Sequence, residues 1–259
     1  MWVRAAADLI LPRRCIVCDR KLNLNERHLC LGCLADIPLT RFWIIRHNPM
    51  ADRFNEIIQK NQGTAGSPRE RYAFAAALFF YDSEASYRKI PYRIKYHGDL
   101  AAGRHFGKML GEHLSRCPWM QDADAVIPVP LHWSRRWKRG YNQAEVIARE
   151  VAAAMKLPVY VDILKRNRAT KTQTRLNTEE KVRNVQDAFK ASYKDVGQFR
   201  HIILIDDVFT TGSTLFACFR ALRAVFPPTS PAKRCGVEGC RGVKCFCPQR
   251  YCPSDRNNT

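Results

Sequence analysis

Two adjacent carboxylates, Asp206 and Asp207, follow four apolar residues in the segment HIILIDDVFTTGSTL at residues 201–215. Three of those four residues are β-branched, which is typical of a buried parallel strand that ends at the carboxylates. Two charges side by side at such a place are costly unless they have partners. Carboxylates can accept hydrogen bonds from ribose hydroxyls or face a Mg²⁺ ion. The pair therefore indicates a site for a sugar or a metal ion.

The turn after the carboxylates has the composition of a phosphate-binding turn, and it leads into a helix predicted over residues 215–225. Backbone N–H groups and a helix N-terminus attract phosphate, and glycine permits a close backbone approach. The candidate phosphate-binding residues are Thr210, Thr211, Gly212, Ser213 and Thr214. An ordinary turn with a Thr or Ser cap is the alternative, but it leaves the two carboxylates unexplained. The segment as a whole predicts a sugar-phosphate site.

Four cysteines near the N-terminus form two CxxC pairs separated by eleven residues: Cys15, Cys18, Cys30 and Cys33. Two such pairs can complete a tetrahedral zinc site that has no open position for catalysis. A segment of about 40 residues cannot bury enough core alone, so the metal would supply folding free energy. A redox CxxC is the alternative, but that motif normally follows a strand in a thioredoxin-like unit, and none is visible here. We therefore predict a structural Zn²⁺ site.

A basic segment follows a short strand predicted at residues 125–130, and Asn142 is predicted to cap the helix after it. We predict that the segment is a loop. Its cationic residues are interleaved with Trp133 and Trp137, and they are Arg135, Arg136, Lys138 and Arg139. Such a loop can grip a pyrophosphate, or it can hold single-stranded nucleic acid through phosphate contacts and base stacking. A basic surface loop with its tryptophans packed against the domain is the third possibility.

Composition limits the class of protein. The chain has 259 residues, 46% of them hydrophobic, and a formal net charge of +19. The surplus of positive charge favours anionic partners, although a basic surface without a dedicated partner fits equally well. The apolar runs are far shorter than the ~20 residues of a membrane span, and Asp8 interrupts the N-terminal apolar run, which argues against a signal peptide. We expect a cytoplasmic protein, in which thiols stay reduced.

The expected fold class is α/β, with a parallel sheet flanked by helices and a small N-terminal zinc module. We assign residues 1–48 to the zinc module, 49–71 to a linker and 72–226 to the α/β domain. Residues 227–259 are rich in Cys and Pro but contain no CxxC pair. Because proline is excluded from central strands, we expect this segment to be a disordered tail or the product of a late change of reading frame.

The segment at residues 201–215 resembles the signature of type I phosphoribosyltransferases, which bind phosphoribosyl pyrophosphate (PRPP) with Mg²⁺. The resemblance implies that Asp206 and Asp207 hold the ribose and act in catalysis, and that residues 210–214 hold the 5′-phosphate. These enzymes close a mobile loop over the site, and the basic, Thr-rich residues 164–176 are the candidate for that loop. An ordinary connection is the alternative for residues 164–176.

Four motifs together resemble the ComF family, whose members include competence proteins of the ComFC and GntX-like types. They are the CxxC pairs, VIPVPLHWSRRWKRGYNQAE, KTQTRL with the following RN, and IILIDDVFTTGST. The resemblance implies a zinc module on a phosphoribosyltransferase domain, and a role with single-stranded DNA in natural transformation beside a helicase-like partner. The alternative is an active phosphoribosyltransferase of nucleotide metabolism, amidophosphoribosyltransferase-like in name, that transfers phosphoribose to an unidentified acceptor.

Overall fold

The computed structural model describes residues 12–61, 72–167, 188–192, 199 and 201–226, and the backbone of residues 242–247. Its strands are β1 (Ala75–Ala77), β2 (Ala125–Pro128), β3 (Leu164–Arg166), β4 (Phe189–Ala191), β5 (His201–Ile205) and β6 (Gly242–Cys247). Its helices are α1 (Leu31–Ala35), α2 (Pro49–Lys60), α3 (Lys89–Tyr96), α4 (Leu100–Leu114), α5 (Trp133–Arg139), α6 (Gln143–Met155) and α7 (Ser213–Val225). Within these ranges, no helix combines the length and apolar character that crossing a membrane requires.

The main sheet has four parallel strands in the order β1-β6-β5-β2, and helices flank it. This confirms the predicted α/β class. All five residues of β5 and all four of β2 are buried, as their apolar sequences require. The two strands pair with Ile205 opposite Pro128, so the segments that follow them start at the same edge of the sheet. Ligands of open parallel sheets bind at this edge.

The strand β6 corrects our prediction for the C-terminal segment. Residues 242–247, which we assigned to a disordered or aberrant tail, lie between β1 and β5 and pair with both. Pairing on both sides gives the backbone N–H and C=O groups of β6 their hydrogen-bond partners. The prolines that argued against a strand, at residues 227, 228 and 231, precede these six residues. The remaining tail residues, 227–241 and 248–259, lie outside the described residues.

The helix α2 corrects the predicted linker at residues 49–71. Its apolar residues Met50, Phe54, Ile57 and Ile58 recur at helical spacing and are buried. Asn48 caps the helix by accepting a hydrogen bond from the Ala51 N–H at 3.0 Å. The first twelve residues of the predicted linker are therefore part of the folded core, and residues 62–71 lie outside the described residues.

The N-terminal segment packs directly onto the α/β domain. The N–H of Thr40 donates to the carbonyl of Leu78 at 3.1 Å, and its hydroxyl donates to the carbonyl of Ala77. Lys89, the first residue of α3, donates to the carbonyl of Val17 and to the Asp19 carboxylate, both at 2.9 Å. Buried side chains of both parts form one continuous hydrophobic core.

The helices α4 and α6 pack closely on one another through glycines of α4. A Cβ atom on Gly111 would lie 2.7 Å from the Cβ of Ala154 and 2.9 Å from the Cα of Val151. Contacts this short cannot form without moving one of the helices. A Cβ on Gly103 would approach the Val146 side chain at 3.3 Å, which is less severe.

We expect Gly111→Ala to lower the melting temperature, because overpacking of this kind typically costs about 1–3 kcal/mol, more than the helix propensity gained. Gly103→Ala is the matched control in the same helix and should change the melting temperature little. Thermal denaturation followed by circular dichroism measures both. Equal melting temperatures for the two variants would contradict the packing argument.

Candidate functional site

The two carboxylates follow β5 directly and are both buried, with Asp206 9% and Asp207 5% exposed. The Asp207 N–H donates to Asp206 Oδ1 at 2.8 Å, which fixes the two side chains relative to each other. The Val129 N–H, just after β2, donates to the Ile205 carbonyl at 2.8 Å. The carboxylates therefore lie at the carboxyl edge of the sheet, between the segments that follow β5 and β2.

Two side chains that the sequence analysis missed contact Asp207 from other elements. Lys95, in the last turn of α3, places Nζ 2.9 Å from Asp207 Oδ2. Gln143, the first residue of α6, donates from Nε2 to the same oxygen at 3.0 Å. These contacts hold the Asp207 charge in a buried position. The one sequence signal for Lys95 as a site residue was its place in the polar segment Lys95-Tyr96-His97-Gly98-Asp99 at a predicted helix end.

The segment that we predicted to bind phosphate is a glycine turn at the start of α7. Gly212 has a positive φ of 75°, and a Cβ there would lie 2.9 Å from Ile57 Cδ1, so a larger residue would strain the turn. The hydroxyls of Thr211 and Ser213 are 2.8 Å apart, and α7 begins at Ser213. Thr210 is exposed and Thr214 is half-buried. The first three of the five predicted residues precede α7, and the other two begin it.

Burial raises the pKa of Asp206 from its ordinary value of 3.8 to about 8, and the charge of Asp207 acts in the same direction. The hydrogen bond from the Asp207 N–H and the Lys95 charge oppose the rise but do not cancel it. Neighbouring carboxylates commonly divide in this way, with one of them holding a proton. Burial thus favours the protonated form of Asp206 near neutral pH, and a cation bound beside the pair would favour its ionised form.

Arg166, at the end of β3, is a further cation near the carboxylates. Burial and then the charge of Arg135 lower its pKa, while the charge of Asp206 opposes that shift. Its guanidinium also lies over the Phe189 ring, 5.1 Å from the centroid. The site therefore combines two acidic groups with cations from α3, α5 and β3.

The basic segment after β2 is a helix, α5, and not the loop that we predicted. The His132 Nδ1 accepts from the Ser134 N–H at 3.3 Å and caps the start of the helix, and Gly140, with a φ of 79°, ends it. Only seven helical residues lie between these two end signals, which is short for recognition by periodicity. Asn142 caps α6, as predicted, by accepting from the Ala144 N–H at 3.1 Å.

The α5 side chains differ in what they contact. Trp133 and Trp137 are 71% and 89% exposed, so the tryptophans do not pack against the domain. Arg136 lies 3.7 Å from the Glu145 carboxylate. Arg139 donates to Gln143 Oε1 at 2.7 Å, and its guanidinium lies over the Tyr96 ring at 5.6 Å. Arg139 thus links α5 to α3 and α6, next to the carboxylates.

The four N-terminal cysteines come together, with their sulfur atoms all within 4.8 Å of one another. Burial disfavours the Cys15 thiolate, but hydrogen bonds from the backbone N–H groups of Cys18, Cys30 and Val17 outweigh burial and lower the Cys15 pKa to about 7. Burial and then hydrogen bonding to the other cysteines raise the pKa of Cys33. This donor set can hold a metal ion, as the spacing predicted.

The structure describes only the first part of the predicted mobile loop at residues 164–176. The first three residues of the predicted mobile loop at residues 164–176 form β3, which pairs antiparallel with β4, so the loop prediction is wrong for them. Residues 168–176 lie outside the described residues, and loop closure over the site stays a prediction.

The raised pKa of Asp206 predicts a pH dependence of stability. The folded chain holds a proton that the unfolded chain releases near its ordinary pKa of 3.8, so Asp206 lowers stability as the pH rises towards about 8. We expect Asp206→Asn to melt several degrees above the wild type at about pH 8.5, and at the same temperature near pH 4, since about 1 kcal/mol shifts the melting temperature by ~2–4 °C in a chain of this size. The same difference in melting temperature between the two proteins at all pH values would contradict the raised pKa of Asp206.

No protein-family model matches the chain. The chain is 28% identical to Competence protein F of Haemophilus influenzae over 217 residues, which are 81% of this chain and 90% of that protein. It is 35% identical to the DNA utilization protein YhgH of Shigella flexneri over 103 residues, 40% of this chain and 44% of that protein. For YhgH of Salmonella typhimurium the identity is 37% over 101 residues, 39% and 43% of the two chains. The chain therefore matches less than half the length of the two YhgH proteins.

Proposed function

We propose that the chain is a ComF family protein that acts in DNA uptake during natural competence and binds PRPP with Mg²⁺ at the carboxyl end of β5. The names of the relatives, a competence protein and DNA utilization proteins, support the first part. The proposal includes a cytoplasmic location, which the sequence pattern favours, and a helicase-like partner, which the family resemblance implies.

One observation carries the PRPP part of the proposal: a buried carboxylate pair immediately precedes a glycine turn at the start of a helix. Ribose 5-phosphate derivatives need acceptors for two neighbouring hydroxyls and N–H donors for a phosphate, at a separation of a few ångströms. Asp206 and Asp207 are the acceptors in this proposal, and the amides and hydroxyls of residues 210–214 are the donors. Mg²⁺, bound together with PRPP, would neutralise the pyrophosphate near the two carboxylates.

The second possibility is that the site also transfers phosphoribose. In that reaction the bond between the anomeric carbon and the pyrophosphate oxygen breaks, and an acceptor nucleophile forms a new bond to the same carbon. The carboxylates would stabilise the positive charge that develops on the ribose, and the cations Arg135, Lys138 and Arg166 would stabilise the leaving pyrophosphate. Both carboxylates are buried, and exclusion of water from the reacting carbon would favour this reaction over hydrolysis.

The direct test is calorimetric titration of PRPP with Mg²⁺ into the zinc-loaded wild type and into Asp206→Asn/Asp207→Asn. We expect saturable binding by the wild type and an affinity at least about tenfold weaker in the variant, since hydrogen bonds to charged groups contribute ~1.5–3 kcal/mol each. Ribose 5-phosphate is the control ligand that lacks the pyrophosphate. No binding by folded wild type would overturn the PRPP proposal and leave the competence proposal standing.

The exposed tryptophans support single-stranded DNA as the nucleic acid that α5 binds. Trp133 and Trp137 lie one helical turn apart, and the cationic residues of α5 surround them. Exposed aromatic rings among cations are the usual platform for unpaired bases, because rings stack on bases while cations contact phosphates.

We expect Arg135→Ala/Arg136→Ala/Lys138→Ala to weaken binding of oligo-dT and to reduce its salt dependence, by a slope of ~0.7 for each phosphate that the variant no longer neutralises. The matched control, Arg104→Ala/Lys108→Ala/Arg116→Ala, removes the same charge from in or near α4. Fluorescence anisotropy at several salt concentrations measures both. Equally weakened binding in the two triple variants would mean that only net charge matters, and would contradict a site on α5.

The cysteine cluster supports a structural zinc site. We expect one zinc ion per chain by mass spectrometry of the intact protein, and its absence from Cys18→Ser. Because Cys15 and Cys30 belong to the continuous core, removal of the metal should lower the melting temperature of the whole chain. Cys117→Ser, a buried cysteine outside the cluster, is the control and should retain zinc. Full zinc content in Cys18→Ser would contradict the site.

A further inference from the structure

A cavity of about 550 Å³ opens along α3, and we call it the α3 cleft. Its volume falls in the range of about 300–1,000 Å³ that is typical of small-molecule sites. Its walls include three tyrosines and three cationic side chains: Tyr81, Tyr92, Tyr96, Arg88, Lys89 and Lys95. Among the described residues that line it, none is acidic. The walls therefore suit a ligand that is both aromatic and anionic.

Two of the tyrosines present unusually large aromatic surfaces to solvent. Tyr92 and Tyr96 are 55% and 66% exposed, although α3 buries Ile90 and Ile94 on its other face. Their ring centroids are 5.0 Å apart with an interplanar angle of 45°, and the His97 ring lies 5.3 Å from that of Tyr92. Tilted, exposed rings one helical turn apart can stack on a planar group.

The α3 cleft adjoins both the carboxylate pair and α5. Lys95 lines it and is also the partner of Asp207, at 2.9 Å, so one wall is shared with the carboxylate pair. On another side, the Arg139 guanidinium of α5 lies over Tyr96, 5.6 Å from the ring centroid. A planar group stacked on Tyr96 would therefore be adjacent both to the proposed ribose site and to α5.

We propose that the α3 cleft binds a nucleobase with an attached phosphate, the base stacking on Tyr92 and Tyr96 and the phosphate contacting Arg88. Lys89 is already engaged by the Val17 carbonyl and Asp19, and Lys95 by Asp207. Arg88 is exposed and donates from Nη1 to the Ser83 carbonyl at 2.8 Å, which uses one of the five N–H donors of its guanidinium. Binding of the base needs no PRPP.

The test is calorimetric titration of the intact protein with thymidine 5′-monophosphate and with deoxyribose 5-phosphate, which carries the same phosphate without a base. We expect the nucleotide to bind and the sugar phosphate to bind at least about tenfold more weakly. In Tyr92→Ala/Tyr96→Ala the affinity for the nucleotide should fall by about tenfold, since a stacked base contributes ~1–3 kcal/mol. Tyr92→Phe/Tyr96→Phe keeps both rings and should retain the affinity, which also controls for folding.

Oligo-dT of about ten nucleotides distinguishes the two sources of such a base, because a strand also spans α5. Binding of the oligonucleotide well above that of the nucleotide assigns the α3 cleft to a base within a strand, and equal affinities assign it to a free nucleotide. Equal binding of nucleotide and sugar phosphate, or unchanged affinity in the alanine variant, would overturn the proposal. PRPP titration of the same variants separates this failure from that of the proposed function, which depends on Asp206 and Asp207.

Discussion

The site depends on how the Asp207 carboxylate is held. One oxygen, Oδ2, contacts the Lys95 ammonium at 2.9 Å and the Gln143 amide at 3.0 Å. An ionised carboxylate this deeply buried is costly without such partners, so α3, α6 and β5 must meet at this atom. The glycine turn, α5 and the α3 cleft all adjoin this contact. The glycine turn follows the carboxylates, α5 leads into Gln143, and Lys95 forms a wall of the α3 cleft.

The burial of the carboxylate pair also affects the charge of Asp206. Burial and then the charge of the neighbouring Asp207 raise the pKa of Asp206, and the Lys95 charge opposes that rise only in part. Cations surround the pair at some distance, with Arg166 close enough to interact with the charges of both Asp206 and Arg135. An anionic ligand that brings hydroxyl donors and a metal ion would complement both features.

Local sequence predicted the parts of this site whose signals are local. β5, the glycine turn and the paired cysteines each depend on residues within one short segment. The helix α5 was predicted as a loop because its caps, His132 and Gly140, enclose only two turns. Lys95 and Gln143 could not be assigned, since their contacts with Asp207 cross 112 and 64 positions of the chain. β6 was missed for a related reason: its place between β1 and β5 comes from pairing with distant strands, and preceding prolines suggested otherwise.

In our proposal the turn after the carboxylate pair binds the phosphate of PRPP. Hydrogen–deuterium exchange of the intact, zinc-loaded protein, with and without PRPP and Mg²⁺, tests this at the level of single peptides. We expect slower exchange of the amides in residues 210–214 when ligand is present, because those N–H groups would donate to the phosphate. Unchanged exchange in this segment at saturating PRPP, or protection confined to other parts of the chain, would contradict it.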